Sequence, residues 1–302
     1  MKIQSLQLKN YRCFEDIRIT FHDQLTVIVG TNGSGKTAIL DAVNIFLEEI
    51  ATQLQEKNEN SYWRKWTLDQ DNLRINGSTE AKGTKSTVGM SLSLSEPINK
   101  NLQWEFFSRR QSDELMEEKY SPDSDFSQVC AAAKSASCMP IFRYFLADRH
   151  CCIAKISTDA NFATDRDNAY ENISAEHFQN TGSASWIYNL VARMAFSKVD
   201  GTTETYVPEY EAAKKAFVRA LSPEGAHKPI YEKLGITFDA RNSPYLAVYR
   251  VNDNTPYKVS QLSQGYQSML SLILELAWRM GITNPGKQED ILESPGIFSL
   301  MK

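Results

Sequence analysis

The sequence has no apolar run approaching the ~18 residues that cross a membrane, and its start, Met1-Lys2-Ile3-Gln4-Ser5, lacks the apolar core of a signal peptide. A membrane protein is therefore not expected, and the cytoplasm is the expected compartment. Cysteine is sparse. The five residues Cys13, Cys130, Cys138, Cys151 and Cys152 show no C-x-x-C spacing, which argues for a reducing compartment. His150 beside Cys151-Cys152 has no second ligand pair at usable spacing, so a metal site is not expected there. A large charge of one sign is also missing. The formal net charge of −4 argues against non-specific nucleic-acid binding by the whole surface, while leaving room for a local basic groove. What remains is a chain of 302 residues, long enough for one large domain or two ordinary ones.

Against that plain background one stretch stands out. Gly30-Thr31-Asn32-Gly33-Ser34-Gly35-Lys36-Thr37 fits G-x-x-x-x-G-K-[ST] at every fixed position. Before it, Leu25-Thr26-Val27-Ile28-Val29 is a short β-branched run that predicts a buried strand. After it, Ile39, Leu40, Val43, Phe46, Leu47 and Ile50 recur at three- and four-residue steps and predict a helix. Strand, glycine-rich loop and helix is the context in which this motif cradles a polyphosphate. The glycines let backbone N–H groups converge at the positive end of the helix dipole. Lys36 is placed to reach the β- and γ-phosphates, and Thr37 to offer its hydroxyl to Mg²⁺. A surface turn with a chance Lys-Thr would not have both flanks. The loop predicts a nucleoside triphosphate site.

Leu6 and Leu8 predict an earlier strand, paired through a turn around Tyr11-Arg12-Cys13-Phe14 with a half-exposed strand over 16–21. From about 51 to 85 the chain is polar and contains Trp63-Arg64-Lys65-Trp66, an interleave that serves nucleic-acid contact in some proteins. An amphipathic helix end with solvated charges is the favoured reading. Residues 86–108 carry strand-like runs, the acidic, Ser-rich stretch 111–128 is expected to be an exposed connection, and 140–149 predicts a buried strand ending in Asp148-Arg149. Residues 157–170 are expected to be loop, with Asp165 and Asp167 solvated rather than metal-binding. Helical patterns follow around 183–197 and 207–221, the second with Tyr210, Ala213, Phe217 and Leu221 on one face. Strands are expected at 236–239 and 245–251. Leu262-Ser263-Gln264-Gly265 then opens a helix whose apolar face carries Met269, Leu270, Ile273, Leu274 and Ala277. Ser263 before a helix is also an ordinary N-cap.

Leu8-Lys9-Asn10-Tyr11-Arg12-Cys13-Phe14, the loop Gly30–Thr37 and Leu262-Ser263-Gln264-Gly265 together resemble the RecF/SMC/Rad50-like branch of ABC-type AAA ATPases. Tyr144-Phe145-Leu146-Ala147-Asp148-Arg149 and Gln264-Gly265-Tyr266-Gln267-Ser268-Met269 look most like the ATPase subunit of Septu-type anti-phage systems (PtuA-like), relatives of which stand in retron cassettes beside an HNH nuclease. The resemblance implies an α/β P-loop NTPase head with an inserted mainly helical region. It divides into an N-terminal lobe over 1–110, the insertion over 111–235 and a signature segment over 236–302. It implies ATP and Mg²⁺ as cofactors, and a homodimer or higher homo-oligomer of ATP-sandwiched heads. Ser263 and Gly265 would touch the γ-phosphate held by a partner's Lys36 and Thr37. Arg12 would sit near the nucleotide, and Gln111 is a guess for the glutamine that positions Mg²⁺ and water. The implied role is an ATP-dependent subunit controlling a nuclease in anti-phage defence, with a retron reverse transcriptase and its DNA as further partners. A DNA repair or recombination ATPase and a hydrolysis-dead nucleotide sensor are the alternatives.

One departure from that family bears on chemistry. The family places an apolar strand ending in Asp-Glu beyond the signature, to hold Mg²⁺ and polarise the attacking water. Here the sequence runs Ile291-Leu-Glu-Ser-Pro-Gly-Ile-Phe-Ser-Leu-Met-Lys302. Pro295-Gly-Ile-Phe looks like the threshold of that strand, with the C-terminal part of the head, and the carboxylates, expected in sequence beyond it. Asp148 follows an apolar run and is the alternative Walker B residue, although it precedes the signature and is followed by Arg149. As given, the chain is expected to have little ATPase activity.

Overall fold

The computed structural model describes residues 1–55, 85–93, 101–110, 116–121, 138–145, 165–171, 181–199, 206–221, 230–251 and 255–301, with a few single positions between them. Strand β1 (Lys2–Tyr11) buries Leu6 and Leu8 fully and turns at Arg12-Cys13 into β2 (Phe14–Thr20), as their alternation predicts. Leu8 faces Ile17 and Leu6 faces Ile19 across this antiparallel pair. On its other edge β1 pairs with β3 (Lys85–Ser93), which pairs with β4 (Asn101–Arg110). The five-stranded sheet is completed by β5 (Met116–Ser121), in the order β2-β1-β3-β4-β5. That corrects the expectation of a connection across 111–128. The polar sequence Met-Glu-Glu-Lys-Tyr-Ser suits an edge strand, where charge discourages pairing with another chain.

Helix α1 (Lys36–Leu54) begins where the loop ends and buries Ile39, Val43, Phe46, Leu47 and Ile50 against the sheets. Strand β6 (Ile141–Phe145) is buried at every position. The later helices follow the expected patterns. They are α2 (Thr181–Val199), α3 (Pro208–Ala220) and α4 (Gln264–Thr283). In α3, Tyr210, Ala213 and Phe217 are buried, and Tyr210 Oη donates to the carbonyl of Leu234 in the next strand. A separate antiparallel sheet is formed by β7 (Tyr231–Phe238), β8 (Pro244–Arg250) and β9 (Pro256–Lys258). Helix α4 is packed against α2, α3 and β6, with Leu270, Leu274, Ala277 and Trp278 buried. Met269, expected on that face, is 47% exposed because it lies on the flank of the buried stripe.

One expectation fails in the neighbourhood of the loop. Leu25–Val29 enters no ladder, and Leu25, Val27 and Val29 are 73%, 71% and 87% exposed. A β-branched run becomes a strand only when neighbours take its N–H and C=O groups and cover both faces. The adjacent parallel sheet consists of β6 and β10 (Gly296–Leu300) alone. Strand β10 starts at the threshold expected near Pro295, and Gly296–Leu300 lies in parallel register with Ile141–Phe145. Trp63–Trp66, Gln111, Asp148, His150, Cys151 and Cys152 lie outside the described residues. Asp165 and Asp167 do not stand as a solvated pair: Asp165 Oδ1 accepts from the Asp167 N–H at 3.1 Å and caps a short 3-10 helix, and Asp167 is buried.

The junction of α4 with β6 is fixed by polar contacts in a dry environment. Asn284 Nδ2 donates to the Met139 carbonyl at 3.0 Å, and Asn284 Oδ1 accepts from the Met139 N–H at 2.6 Å. Nine residues earlier on α4, Glu275 lies between two arginines, 2.8 Å from Arg143 Nε and 2.9 Å from Arg279 Nε, all nearly inaccessible to water. Arg279 also donates to the carbonyls of Ala169 and Glu171. Burial pushes the Arg143 guanidinium down to about 10, with Glu275 pulling it back up. Because one carboxylate serves two buried cations, Glu275→Gln is expected to destabilise the fold by about 3–5 kcal/mol. Urea denaturation reads this as a lowered midpoint at unchanged slope. Replacing Glu275, Arg143 and Arg279 together by apolar residues should cost less.

Candidate functional site

The loop takes its shape from two glycines with positive φ. Gly33 has φ +82° and Gly35 has φ +87°, backbone that other residues adopt only with strain. At Gly35 space is the second constraint. A Cβ there would stand 2.5 Å from Phe14 Cζ and 2.6 Å from Cys13 Sγ, so the β1–β2 turn is pressed against the start of α1. Nothing lies within 4 Å of where a Gly33 Cβ would be, so that side of the loop is open. Lys36 folds back across it, its Nζ donating to the carbonyls of Gly30 at 2.8 Å and Thr31 at 2.7 Å. A phosphate entering over Gly33 would meet this ammonium and the N-terminus of a 19-residue helix.

The β1–β2 turn brings Arg12 to the same place. Its φ of +47° is the left-handed region, uncommon for a long side chain and a strain that the surrounding contacts hold. Arg12 Nη1 donates to Asp41 Oδ2 at 2.6 Å. Asp41 lies four residues beyond Thr37, one turn along the same face of α1. Its other oxygen accepts from Tyr144 Oη on β6, also at 2.6 Å. Burial, followed by that hydrogen bond, pushes the Tyr144 phenol well above its ordinary range, so it remains a donor at any physiological pH.

A second contact links the same sheet to the same helix turn. The Met301 N–H donates to the Phe145 carbonyl at 2.9 Å, extending the β6–β10 ladder by one bond. Its thioether Sδ lies 3.8 Å from Thr37 Oγ1, which donates to it. The loop is therefore bordered by Arg12, Asp41, Tyr144 and Met301.

Ser263 and Gly265 stand elsewhere. Both are exposed at the start of α4, where Ser263 Oγ accepts from the Tyr266 N–H at 3.5 Å as an N-cap. Nothing lies within 4 Å of a Cβ built on Gly265. The turn before them is held by Gln267 Nε2, which donates to the Leu262 carbonyl at 2.7 Å.

These residues fit a polyphosphate: an open cradle, a cation and a helix N-terminus converge on one point. They do not fit a carboxylate-held Mg²⁺. That ion demands oxygen ligands, and the group beside Thr37 Oγ1 is a thioether. Among the described residues no three His, Cys, Asp or Glu side chains are grouped to hold a metal. Asp41, the acid nearest along the helix, is engaged by Arg12 and Tyr144.

A family model described as an AAA ATPase domain matches residues 1–234. The chain belongs to that AAA ATPase family. Its architecture is an α/β P-loop NTPase fold, with the phosphate loop opening α1 and the parallel strands β6 and β10 running to it. The DNA replication and repair protein RecF of Bacillus cytotoxicus is 31% identical over 96 residues, covering 32% of this chain and 24% of RecF. RecF of Lactococcus lactis is 28% identical over 95 residues, covering 32% and 25%. The chain therefore spans about a quarter of the length of these curated relatives. The crystal structure of an SmcHead bound to the C-winged helix domain of ScpA aligns with 100% of this chain and 90% of its own, at TM-score 0.49 and 14% identity. The Smc head from Pyrococcus furiosus bound to the C-terminal domain of ScpA aligns at TM-score 0.46 and 13% identity, with the same coverage. No helix among the described residues of this AAA ATPase is long and apolar enough to cross a membrane.

Asp41, Tyr144 and Met301 were not singled out as site residues from the sequence. For Asp41 a signal exists, an acid one helical turn after Thr37. For Tyr144 and Met301 it does not, because only the register of β6 with β10 brings them to the loop. Lys36 spans the loop as its side-chain cation, and a charge-assisted contact to phosphate contributes about 1.5–3 kcal/mol. Lys36→Ala should therefore weaken ATP binding by about ten- to hundredfold while leaving the circular dichroism spectrum unchanged. Calorimetric titration with ATP checks this, and unaltered affinity would contradict a phosphate-binding loop.

Proposed function

We propose that this AAA ATPase-domain chain binds ATP at Gly30–Thr37 and acts as the nucleotide-responsive subunit of a bacterial anti-phage system, controlling an associated nuclease. The observation that carries the nucleotide reading is the loop itself, open over Gly33, with Lys36 Nζ resting on the carbonyls that a phosphate would displace it from. The defence reading rests on the resemblance of Tyr144–Arg149 and Gln264–Met269 to the Septu-type ATPase. Its implied partners are an HNH-type nuclease and, in a retron setting, a reverse transcriptase with its DNA. In a form that carries the metal-holding carboxylates, ATP would be hydrolysed as well as bound.

The exposure of Ser263, Gln264 and Gly265 at an uncovered helix start supports assembly through heads. A γ-phosphate held on one subunit would meet Ser263 and Gly265 of a second, so ATP would join two copies. A second reading has its own support. Similarity to RecF, a DNA replication and repair protein, favours a repair ATPase that engages DNA.

Two measurements test these proposals. Light scattering is expected to show a rise in mass on ATP addition, lost in Ser263→Arg, where a long cation would occupy the phosphate's approach. In cells carrying this gene with its neighbouring genes, phage plating efficiency should fall, and Lys36→Ala should restore it. Sensitivity to DNA damage in place of phage protection would favour the repair reading.

A further inference from the structure

In phosphate-loop ATPases the loop Ser/Thr shares its Mg²⁺ with an aspartate at the end of a neighbouring strand. Here the strand that ends beside Thr37 is β10, and its position is fixed twice. Its ladder with β6 runs in unbroken parallel register from Gly296↔Ile141 to Leu300↔Phe145, and the Met301 N–H extends it onto the Phe145 carbonyl. Independently, Tyr144 of β6 is bonded to Asp41, which anchors the sheet on the same face of α1 as Thr37. Between these anchors the side chain that reaches Thr37 Oγ1 is Met301, at 3.8 Å. No acid occurs from Ser294 to Lys302.

We propose that Met301 occupies the position of the metal-holding carboxylate, so that this chain holds ATP through Lys36 and the loop backbone with little help from Mg²⁺. A thioether is a soft, neutral and weak acceptor, whereas Mg²⁺ requires hard oxygens and gives up water reluctantly. The ion would then remain on the nucleotide, bound to phosphate and water, without a protein carboxylate. The binding site would work as a nucleotide-occupancy sensor, since the metal that should draw charge from the transferring phosphoryl group would lack its anchor.

The inference rests on the reading of Gly30–Thr37 as an ATP site, and the experiment separates the two. A non-hydrolysable ATP analogue is titrated into the full chain with Mg²⁺ and again with EDTA. The same is done for Met301→Asp and for Met301→Leu, which keeps the apolar volume. Wild type and Met301→Leu are expected to bind the analogue with affinities that differ by less than about twofold between the two conditions. Met301→Asp should bind at least about tenfold more tightly with Mg²⁺ than without, the scale on which groups that hold a metal act. Mn²⁺ resonance with the analogue present gives a second readout, with more Mn²⁺ immobilised by Met301→Asp than by wild type. Wild type binding at least tenfold more tightly with Mg²⁺ would overturn the inference while leaving the ATP site standing, and it needs no variant. Binding in neither condition would refute both. A folded Met301→Asp with no gain would show that Met301 is not at the metal position.

Discussion

Asp41 is the group on which the architecture around the loop depends. A single carboxylate in the second turn of α1 accepts Arg12 from the β1–β2 turn with one oxygen and Tyr144 from β6 with the other, both at 2.6 Å. Three elements far apart in sequence meet on it. Such charge-assisted bonds are short and directional, so they fix orientation as well as distance. They tie the antiparallel sheet to the parallel pair across α1. With them, the residue that follows Leu300 is carried to Thr37.

A second polar cluster does for α4 what Asp41 does for α1. Tyr144 and Arg143 are successive on β6, and successive strand residues point to opposite faces. Tyr144 reaches α1 through Asp41, and Arg143 reaches α4 through Glu275. The strand thereby bears polar attachments to the helix that opens at the phosphate loop and to the helix that opens at Ser263. Buried ion pairs contribute little net stability, because the cost of desolvating both charges offsets their attraction. Here they fix how the two helix starts stand relative to one strand, and with it where a loop-bound phosphate and the exposed Ser263 lie in the same molecule.

Much of this was legible from the sequence because it is local. The loop glycines, the periodicity of α1, the face of Tyr210, Ala213 and Phe217 and the cap at Ser263 all follow from residues within a few turns of each other. What was not legible is long-range. Residues Met116–Ser121 read as an exposed connection because their charges suit an edge strand as well as a loop. The pairing of Gly296–Leu300 was hidden because its partner, Ile141–Phe145, is remote in sequence, and only the folded chain shows their register. The run Leu25–Val29 shows the opposite error. Its composition is right for a buried parallel strand, but composition cannot supply the neighbours that a strand requires.

That last failure also explains how the loop holds its shape. If the cradle depended on a strand before Gly30, the exposure of Leu25, Val27 and Val29 would leave it without support. The constraints on it come from other directions. Gly35 takes a left-handed conformation against Cys13 and Phe14, whose turn belongs to the five-stranded sheet. The Ile39 N–H donates to the Gly35 carbonyl at 3.1 Å, which continues the helix out of the loop. The Ser34 N–H donates to the Thr31 carbonyl at 3.2 Å, and Lys36 closes the near side. The preceding segment is held to β1 at its start, by the Lys2–Asp23 ion pair at 2.7 Å, and nearer the loop by partial packing of Ile28. The phosphate cradle is thus held from its C-terminal side, by α1 and the β1–β2 turn, and its N-terminal approach contributes little to its shape.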